Sequence, residues 1–182
     1  KQNEIYSQKY VSSIEASCYF NSPEHLLIHN KYLKYFSHFV YAHLGDKIRY
    51  PIVGGYAVMK YTEPRFTKDL DIFIATDQRN ADSVYSALKE FGAPLENLSP
   101  DDFTHKQHFY QMGRPPLRVD IMMSIPGIAF GEAWKNREIV ELDDLKVPFI
   151  SKRDLIRAKE ASGRPQDKID VANLRKATLL DD

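Results

Sequence analysis

Residues 69–74 have the sequence DLDIFI, and this short stretch decides the fold class and the candidate chemistry of the chain. Because successive side chains of a β-strand point to opposite faces, Asp69 and Asp71 would emerge together, about 6.5–7 Å apart. The positions that point the other way are all apolar, namely Leu70, Ile72 and Ile74. This alternation predicts a strand with one face in a hydrophobic core and two carboxylates on the open face.

Residues 117–123, with the sequence LRVDIMM, predict a second strand of the same kind. Arg118 and Asp120 share one parity, and the other parity is apolar throughout, with Leu117, Val119, Ile121 and Met123. If the two strands are neighbours, Asp120 joins the two earlier aspartates on one face, since adjacent strands lie roughly 5 Å apart. Three carboxylates at this separation repel one another unless they are protonated or bridged by cations. The pattern therefore favours hard divalent ions such as Mg²⁺, which prefer oxygen ligands.

A glycine pair precedes these strands. Gly54 and Gly55 follow a short apolar run at 50–53, which predicts a strand, and they precede a predicted short helix at 56–60. Glycine allows the backbone to approach phosphate oxygens, and the start of a helix offers unpaired N–H groups to an anion. A glycine pair or two spaced aspartates alone would be weak signals. In this order, with a third aspartate downstream, they predict a phosphoryl-transfer site that uses two divalent ions.

The rest of the chain predicts a mixed architecture. Helical patterns occupy 78–91, 129–137, 151–161 and 166–180, a loop is predicted at 95–105, and strand patterns occupy 106–112, 139–142 and 147–150. We expect an α/β (α+β) fold with a small mixed sheet flanked by helices. The predicted organisation is an N-terminal helical segment at 1–49, a core at 50–150, and C-terminal helices at 151–182 packed on the same domain and closing the cleft.

Composition excludes several classes of protein. Lys plus Arg and Asp plus Glu both number 25, and the resulting zero net charge disfavours general nucleic-acid binding, although a local patch for a tRNA end stays compatible. The 11 Tyr and 10 Phe residues are interpreted as core rather than as a base-stacking surface. The single cysteine, Cys18, excludes an internal disulfide. No apolar run reaches about 18 residues, so we expect no membrane span and a cytoplasmic location.

These motifs together resemble a known superfamily. Val53-Gly54-Gly55, then R-x-T-x-D-L-D-I at 65–72, then Val119-Asp120 are similar to the polymerase-β-type nucleotidyltransferases, and in particular to AbiEii-like toxin–antitoxin nucleotidyltransferases. The tail, from Val147-Pro148 to R-P-Q-D-K-x-D at 164–170, is similar as well, so the resemblance covers about 50–180. Many members have Gly-Ser where this chain has its glycine pair. That difference leaves the phosphate role to backbone N–H groups.

The resemblance implies a role for each matching position. Asp69 and Asp71 would bind two Mg²⁺ ions, for which Mn²⁺ could substitute, and Asp120 would hold the ion that activates the acceptor hydroxyl. Gly54 and Gly55 would contact the β- and γ-phosphates. The remaining candidates for the nucleotide site are Arg65, Thr67, Lys159 and Lys168, and Asp170 joins them on the C-terminal helices. For Arg65, a structural pairing with Asp69 or Glu63 is an equal alternative.

The predicted activity is transfer of a nucleoside monophosphate from an NTP to a hydroxyl acceptor, with release of pyrophosphate. The acceptor is left open between an RNA end, a protein and a small molecule, and a cognate toxin or antitoxin is a candidate partner. One alternative is a non-catalytic nucleotide-binding or partner-binding component that keeps the fold. Another is a metal-dependent phosphohydrolase.

Overall fold

A computed structural model describes residues 48–63, 65, 67, 69–114, 117–142 and 145–178. Apart from Ile48 and Arg49, the predicted N-terminal helical segment at 1–49 lies outside these residues. The helices are α1 Gly54–Tyr61, α2 Gln78–Phe91, α3 Phe130–Lys135, α4 Lys152–Ser162 and α5 Pro165–Thr178, and a 3₁₀-helix spans Pro100–Thr104. The strands are β1 Asp69–Phe73, β2 Phe109–Arg114, β3 Leu117–Met122, β4 Glu138–Leu142 and β5 Leu145–Phe149. This is the mixed fold of small sheets and flanking helices that the sequence predicts.

The central sheet has three strands in the order β1-β3-β2. Strand β3 pairs in parallel with β1 and antiparallel with β2. Ring contacts of Phe103 with Tyr85 and Tyr110 join the 3₁₀-helix to α2 and to β2. Because Tyr110 lies opposite Ile121, and Ile121 lies opposite Ile72, these elements cover the apolar face of the sheet. The other face carries the aspartates.

The predicted strand at 50–53 is not a regular strand. Ile52 makes isolated bridges to Ile72 in β1 and to Phe149 in β5, so this segment joins the three-stranded sheet to the β4–β5 hairpin. The Phe73 N–H donates to the Pro51 carbonyl at 3.1 Å, but the reciprocal bond of that pair would need an N–H on Pro51, and proline has none. The Val53 N–H donates to the Asp71 carbonyl at 2.9 Å, which brings the glycine pair beside β1.

The predicted loop at 95–105 also contains a structured element. Ser99 and Asp102 form a reciprocal capping box around the start of the 3₁₀-helix, in which the Asp102 carboxylate accepts from the Ser99 N–H at 2.8 Å. Pro100 occupies the first turn, where a missing N–H costs nothing. The local sequence contains the pattern that favours this helix, namely Ser99 followed by Pro100 and Asp102.

Helix α4 begins and ends, and helix α5 begins, within one residue of the predicted positions, whereas the predicted end of α5 at 180 lies outside the described residues. The Ser151 hydroxyl accepts from the Asp154 N–H at 3.3 Å at the start of α4, and Gly163, with φ +66°, ends that helix. Helices α4 and α5 pack against each other, and both contact α1. They therefore stand beside the glycine pair. Among the described helices, none is both long and apolar enough to cross a bilayer.

Candidate active site

Three rows of side chains cross the aspartate-bearing face of the sheet, and the strand register defines them. From β1 through β3 to β2, the rows are Asp69–Arg118–Gly113, Asp71–Asp120–Gln111 and Phe73–Met122–Phe109. Strands β1 and β3 are therefore neighbours, which is the arrangement that would gather the three aspartates on one face. Asp71 and Asp120 lie directly opposite each other, and Asp69 lies one row away.

The guanidinium of Arg118 lies among the aspartates. It donates to Asp69, and its Nη2 also donates to an Asp120 oxygen at 3.2 Å. The Gln111 amide donates to the other Asp120 oxygen at 2.9 Å. The alternation of residues along the strand predicts that Arg118 lies on this face, but it was assigned no role in the site from the sequence. Its contacts make it the internal counter-ion of two carboxylates.

Asp71 is the least neutralised of the three aspartates. Burial raises the pKa of its carboxyl to about 6, and the charges of Asp120 and Asp69 act in the same direction. A backbone hydrogen bond from Gly55 and the positive charge of Lys159 oppose this shift of the pKa without cancelling it. In the first row, Asp69 Oδ1 is buried and has no hydrogen-bond partner among the described residues. Both observations describe negative oxygens that lack a full set of partners.

These donors fit a hard divalent cation. Within the described residues, no three His, Cys, Asp or Glu side chains already converge as a metal-binding group, and the Arg118 guanidinium is paired with Asp69 and Asp120. The donor set is nevertheless anionic and made of oxygen, with one orphaned oxygen on Asp69 and a crowded carboxylate on Asp71. This is the chemistry that Mg²⁺ and Mn²⁺ prefer.

The glycine pair packs directly against this site. Gly54 has φ +62°, and a Cβ added there would lie 2.5 Å from Asp71 Cγ. A Cβ added at Gly55 would lie 2.9 Å from Thr67 Cβ. No other residue leaves room for these neighbours, so both positions require glycine for packing. The sequence assigned the pair to phosphate contact, and the structure adds this second reason for glycine.

Three buried residues of the tail form an ionic cluster with two arginines at its margin. We call it the tail cluster, and its members are Lys159, Asp167 and Asp170, the half-buried Arg65 and the exposed Arg164. Lys159 Nζ lies 2.8 Å from Asp167 and 2.7 Å from Asp170, and Asp170 also pairs with Arg65 at 2.9 Å. Arg164 pairs with Asp167 at 2.7 Å. Arg65 thus pairs with Asp170, and among the described residues no ion pair joins it to Asp69 or Glu63, the two partners considered from the sequence.

The tail cluster adjoins the glycine pair, since a Cβ on Gly55 would lie 3.4 Å from the Arg65 guanidinium. Arg65 and Thr67 therefore lie at the start of α1, and Lys159 lies beside them because it shares Asp170 with Arg65. Lys168 is not brought there, because it is exposed on α5 while its neighbours Asp167 and Asp170 face inward. Asp167 was given no role from the sequence. The i, i+3 spacing of two acidic residues on one helix face was the available signal.

Comparisons with known proteins identify the family of the chain. A family model described as "Nucleotidyltransferase of unknown function (DUF6036)" matches residues 39–181. An antigenic nucleotidyltransferase-like protein from Paracoccidioides brasiliensis is similar in fold, with a TM-score of 0.52 and 15% sequence identity over 83% of this chain and 75% of that chain. The Thermotoga maritima protein TM1012 gives a TM-score of 0.47 and 17% identity over 91% of this chain and 96% of that chain. No curated protein matches the chain.

Proposed function

Because the chain belongs to this family of nucleotidyltransferases of unknown function, we propose that it transfers a nucleoside monophosphate from an NTP to a hydroxyl acceptor and releases pyrophosphate. One observation carries the proposal. Asp71 and Asp120 lie opposite each other in the register of β1 and β3, with Asp69 on the same face and the start of α1 packed on Asp71. Carboxylates and a glycine-rich helix start are the two halves of a site for nucleoside triphosphates.

Asp69 and Asp71 would hold two Mg²⁺ ions, or Mn²⁺, and Asp120 would hold the ion on the acceptor side. When bound, such ions neutralise the charge of the triphosphate and lower the pKa of the acceptor hydroxyl. The N–H groups at Gly54 and Gly55 would receive the β- and γ-phosphates. The residues beside them would orient the nucleotide, and these are Arg65, Thr67 and Lys159.

The chemical step needs one bond formed and one bond broken. The acceptor oxygen bonds to the α-phosphorus, and the bond from that phosphorus to the oxygen bridging to the β-phosphate breaks. The electron pair of the broken bond leaves with pyrophosphate, and the hydroxyl proton passes to the Asp120 carboxylate and then to solvent. The protein contributes mainly by holding both substrates in line and by neutralising charge.

The tail cluster supports a finer proposal, namely that the chain is an AbiEii-like enzyme of a toxin–antitoxin pair. Its residues Lys159 and Asp170 belong to the tail on which that resemblance rests, and both are buried beside Arg65. A cognate toxin or antitoxin would then be the protein partner. NTPs and Mg²⁺ are abundant in the cytoplasm, which is the location we propose.

The test is to incubate the protein with Mg²⁺, each α-labelled NTP, and pools of RNA and of protein. The variants are Asp71→Asn and Asp120→Asn, with Asp82→Asn as a matched control, because Asp82 is exposed on α2 at the opposite face. We expect labelled acceptor with the wild type and the control. The two site variants should lose transfer but stay folded, since removing one charge relieves repulsion.

Other outcomes would contradict the proposal. Nucleotide binding without any labelled acceptor would favour the non-catalytic alternative. Free nucleotide or phosphate as the sole product would favour the phosphohydrolase. An active Asp120→Asn enzyme would refute the role given to Asp120.

A further inference from the structure

The third row of this face, Phe73–Met122–Phe109, is apolar and lies next to the row of Asp71 and Asp120. The end of this row on β2 is exposed. Phe73, on β1, is buried, and its ring contacts Phe130 of α3 at 5.2 Å. Met122, at the centre of the row, is half-buried, and Phe109, on β2, is 66% exposed. We call Met122 and Phe109 the shelf.

Packing does not account for Phe109. It is the most exposed large apolar side chain among the described residues, and no ring contact among those residues involves it. Burial of a phenylalanine side chain stabilises a fold, and the protein forgoes most of that stabilisation at this position. An exposed aromatic ring one row from a catalytic centre is therefore a candidate ligand contact.

The two edges of the sheet divide the site between two substrates. The glycine pair enters beside β1, where the Val53 N–H bonds to Asp71. Strand β2, which carries Phe109, lies on the far side of β3. In the proposed reaction the donor NTP occupies the β1 side, so the shelf lies on the side of Asp120 and of the acceptor.

We propose that the shelf binds the base of a nucleoside-type acceptor whose ribose hydroxyl reaches Asp120. This inference rests on the proposed function. Asp120 and Met122 are two residues apart on β3, a span of about 6.5–7 Å, and Phe109 lies opposite Met122 on β2. A nucleoside with its ribose at Asp120 would therefore place its base over the shelf. Phenylalanine rings stack on nucleobases of any sequence, since every base presents a flat π-face.

The surroundings of the shelf favour a nucleoside that carries phosphate, and hence the end of an RNA chain. The turn before β2 exposes three groups that can be cationic, namely His105, Lys106 and His108. The Ser124 hydroxyl donates to the Lys106 carbonyl at 2.5 Å and ties this turn to the end of β3. Asp102, 3.9 Å from His108, is the acidic group beside this turn.

The test measures acceptor binding without chemistry. A fluorescently labelled single-stranded RNA with a free 3′-hydroxyl is titrated by anisotropy, and free adenosine is titrated by NMR. The variants are Phe109→Ala and Phe109→Tyr, which restores a ring. Phe91→Ala is the matched control, because Phe91 is 51% exposed at the end of α2, on the helix-covered face.

We expect Phe109→Ala to weaken RNA binding roughly 10- to 100-fold, as for loss of one base–aromatic stack. Phe109→Tyr and Phe91→Ala should bind as the wild type does. In transfer assays, Phe109→Ala should raise KM for the RNA acceptor and leave KM for NTP unchanged. Competition by adenosine would identify the nucleoside alone as sufficient, whereas binding of RNA alone would assign the shelf to an RNA end.

The outcomes separate this inference from the proposed function. RNA binding that depends on Phe109 in a protein that transfers no nucleotide would uphold the shelf and overturn the function. Transfer that is unaffected by Phe109→Ala, or labelled protein as the sole product, would overturn the shelf and leave the function standing. Failure of both RNA and adenosine to bind would also overturn the shelf.

Discussion

Replacement of Gly54 by alanine tests whether the start of α1 holds the Asp71 carboxylate in place. Gly54 has φ +62°, a backbone conformation that favours glycine. An added Cβ would lie 2.5 Å from Asp71 Cγ and 2.8 Å from Asp71 Cβ. Rotation of the Asp71 side chain moves its carboxylate but not its Cβ. The backbone of α1 or β1 must therefore shift.

The structure sets the size of the effect and supplies controls for each part of it. The left-handed conformation costs alanine about 1–2 kcal/mol, and overpacking adds about 1–3 kcal/mol. Gly163→Ala isolates the conformational part, because its φ is +66° and its nearest neighbour is 3.8 Å from the added Cβ. Gly131→Ala has nothing within 4 Å and lies in α3, so it should be neutral or stabilising.

Thermal and urea unfolding of the three variants would measure these differences. At about 2–4 °C for each kcal/mol in a domain of this size, Gly54→Ala should lower Tm by several degrees more than Gly163→Ala does. Nucleotide transfer should fall about 100-fold or more in Gly54→Ala alone, because catalytic groups are sensitive to displacements near 1 Å. Equal loss of stability in Gly54→Ala and Gly163→Ala, or full transfer by Gly54→Ala, would refute the reasoning.

Three further predictions concern charges. Arg118→Gln removes the counter-ion of Asp69 and Asp120, so the Tm of this variant should fall in the absence of divalent ions. Addition of Mg²⁺ should raise the Tm of the variant more than it raises the Tm of the wild type, and equal increases would contradict this prediction. Asp170→Asn takes a fully buried partner from Lys159 and Arg65 and should cost about 3–5 kcal/mol in urea unfolding, against at most about 1 kcal/mol for Glu160→Gln in its exposed pair with Arg175. Burial acts to raise the pKa of Asp167, but hydrogen bonds from Arg164, Lys159 and Ser162 outweigh it and hold that pKa well below its usual value. The stability that Asp167 adds over Asn should therefore be complete above about pH 4, the unfolded-state pKa, and should shrink as the pH falls further; a difference that grew on acidification would exclude this coupling.

The sequence determined the features that depend on neighbours along the chain. The period of two in a strand places Asp69 with Asp71, and Arg118 with Asp120, whatever the rest of the fold does. Caps are local as well, since Ser151 bonds to the backbone only three residues away. The roles of Asp69, Asp71 and Asp120 in catalysis stay a prediction.

The tertiary structure alone decided which of these local features meet. The pairing of β1 with β3 sets Asp71 against Asp120, and Arg65 finds Asp170 across 105 residues. A lysine on a helix is usually solvated, yet Lys159 is 6% exposed because two buried aspartates surround it. The same pattern of charges fits an exposed helix face and a buried ion cluster, and only long-range packing distinguishes the two. Sequence spacing therefore fixed which way the aspartates point, whereas packing of distant segments fixed what they face.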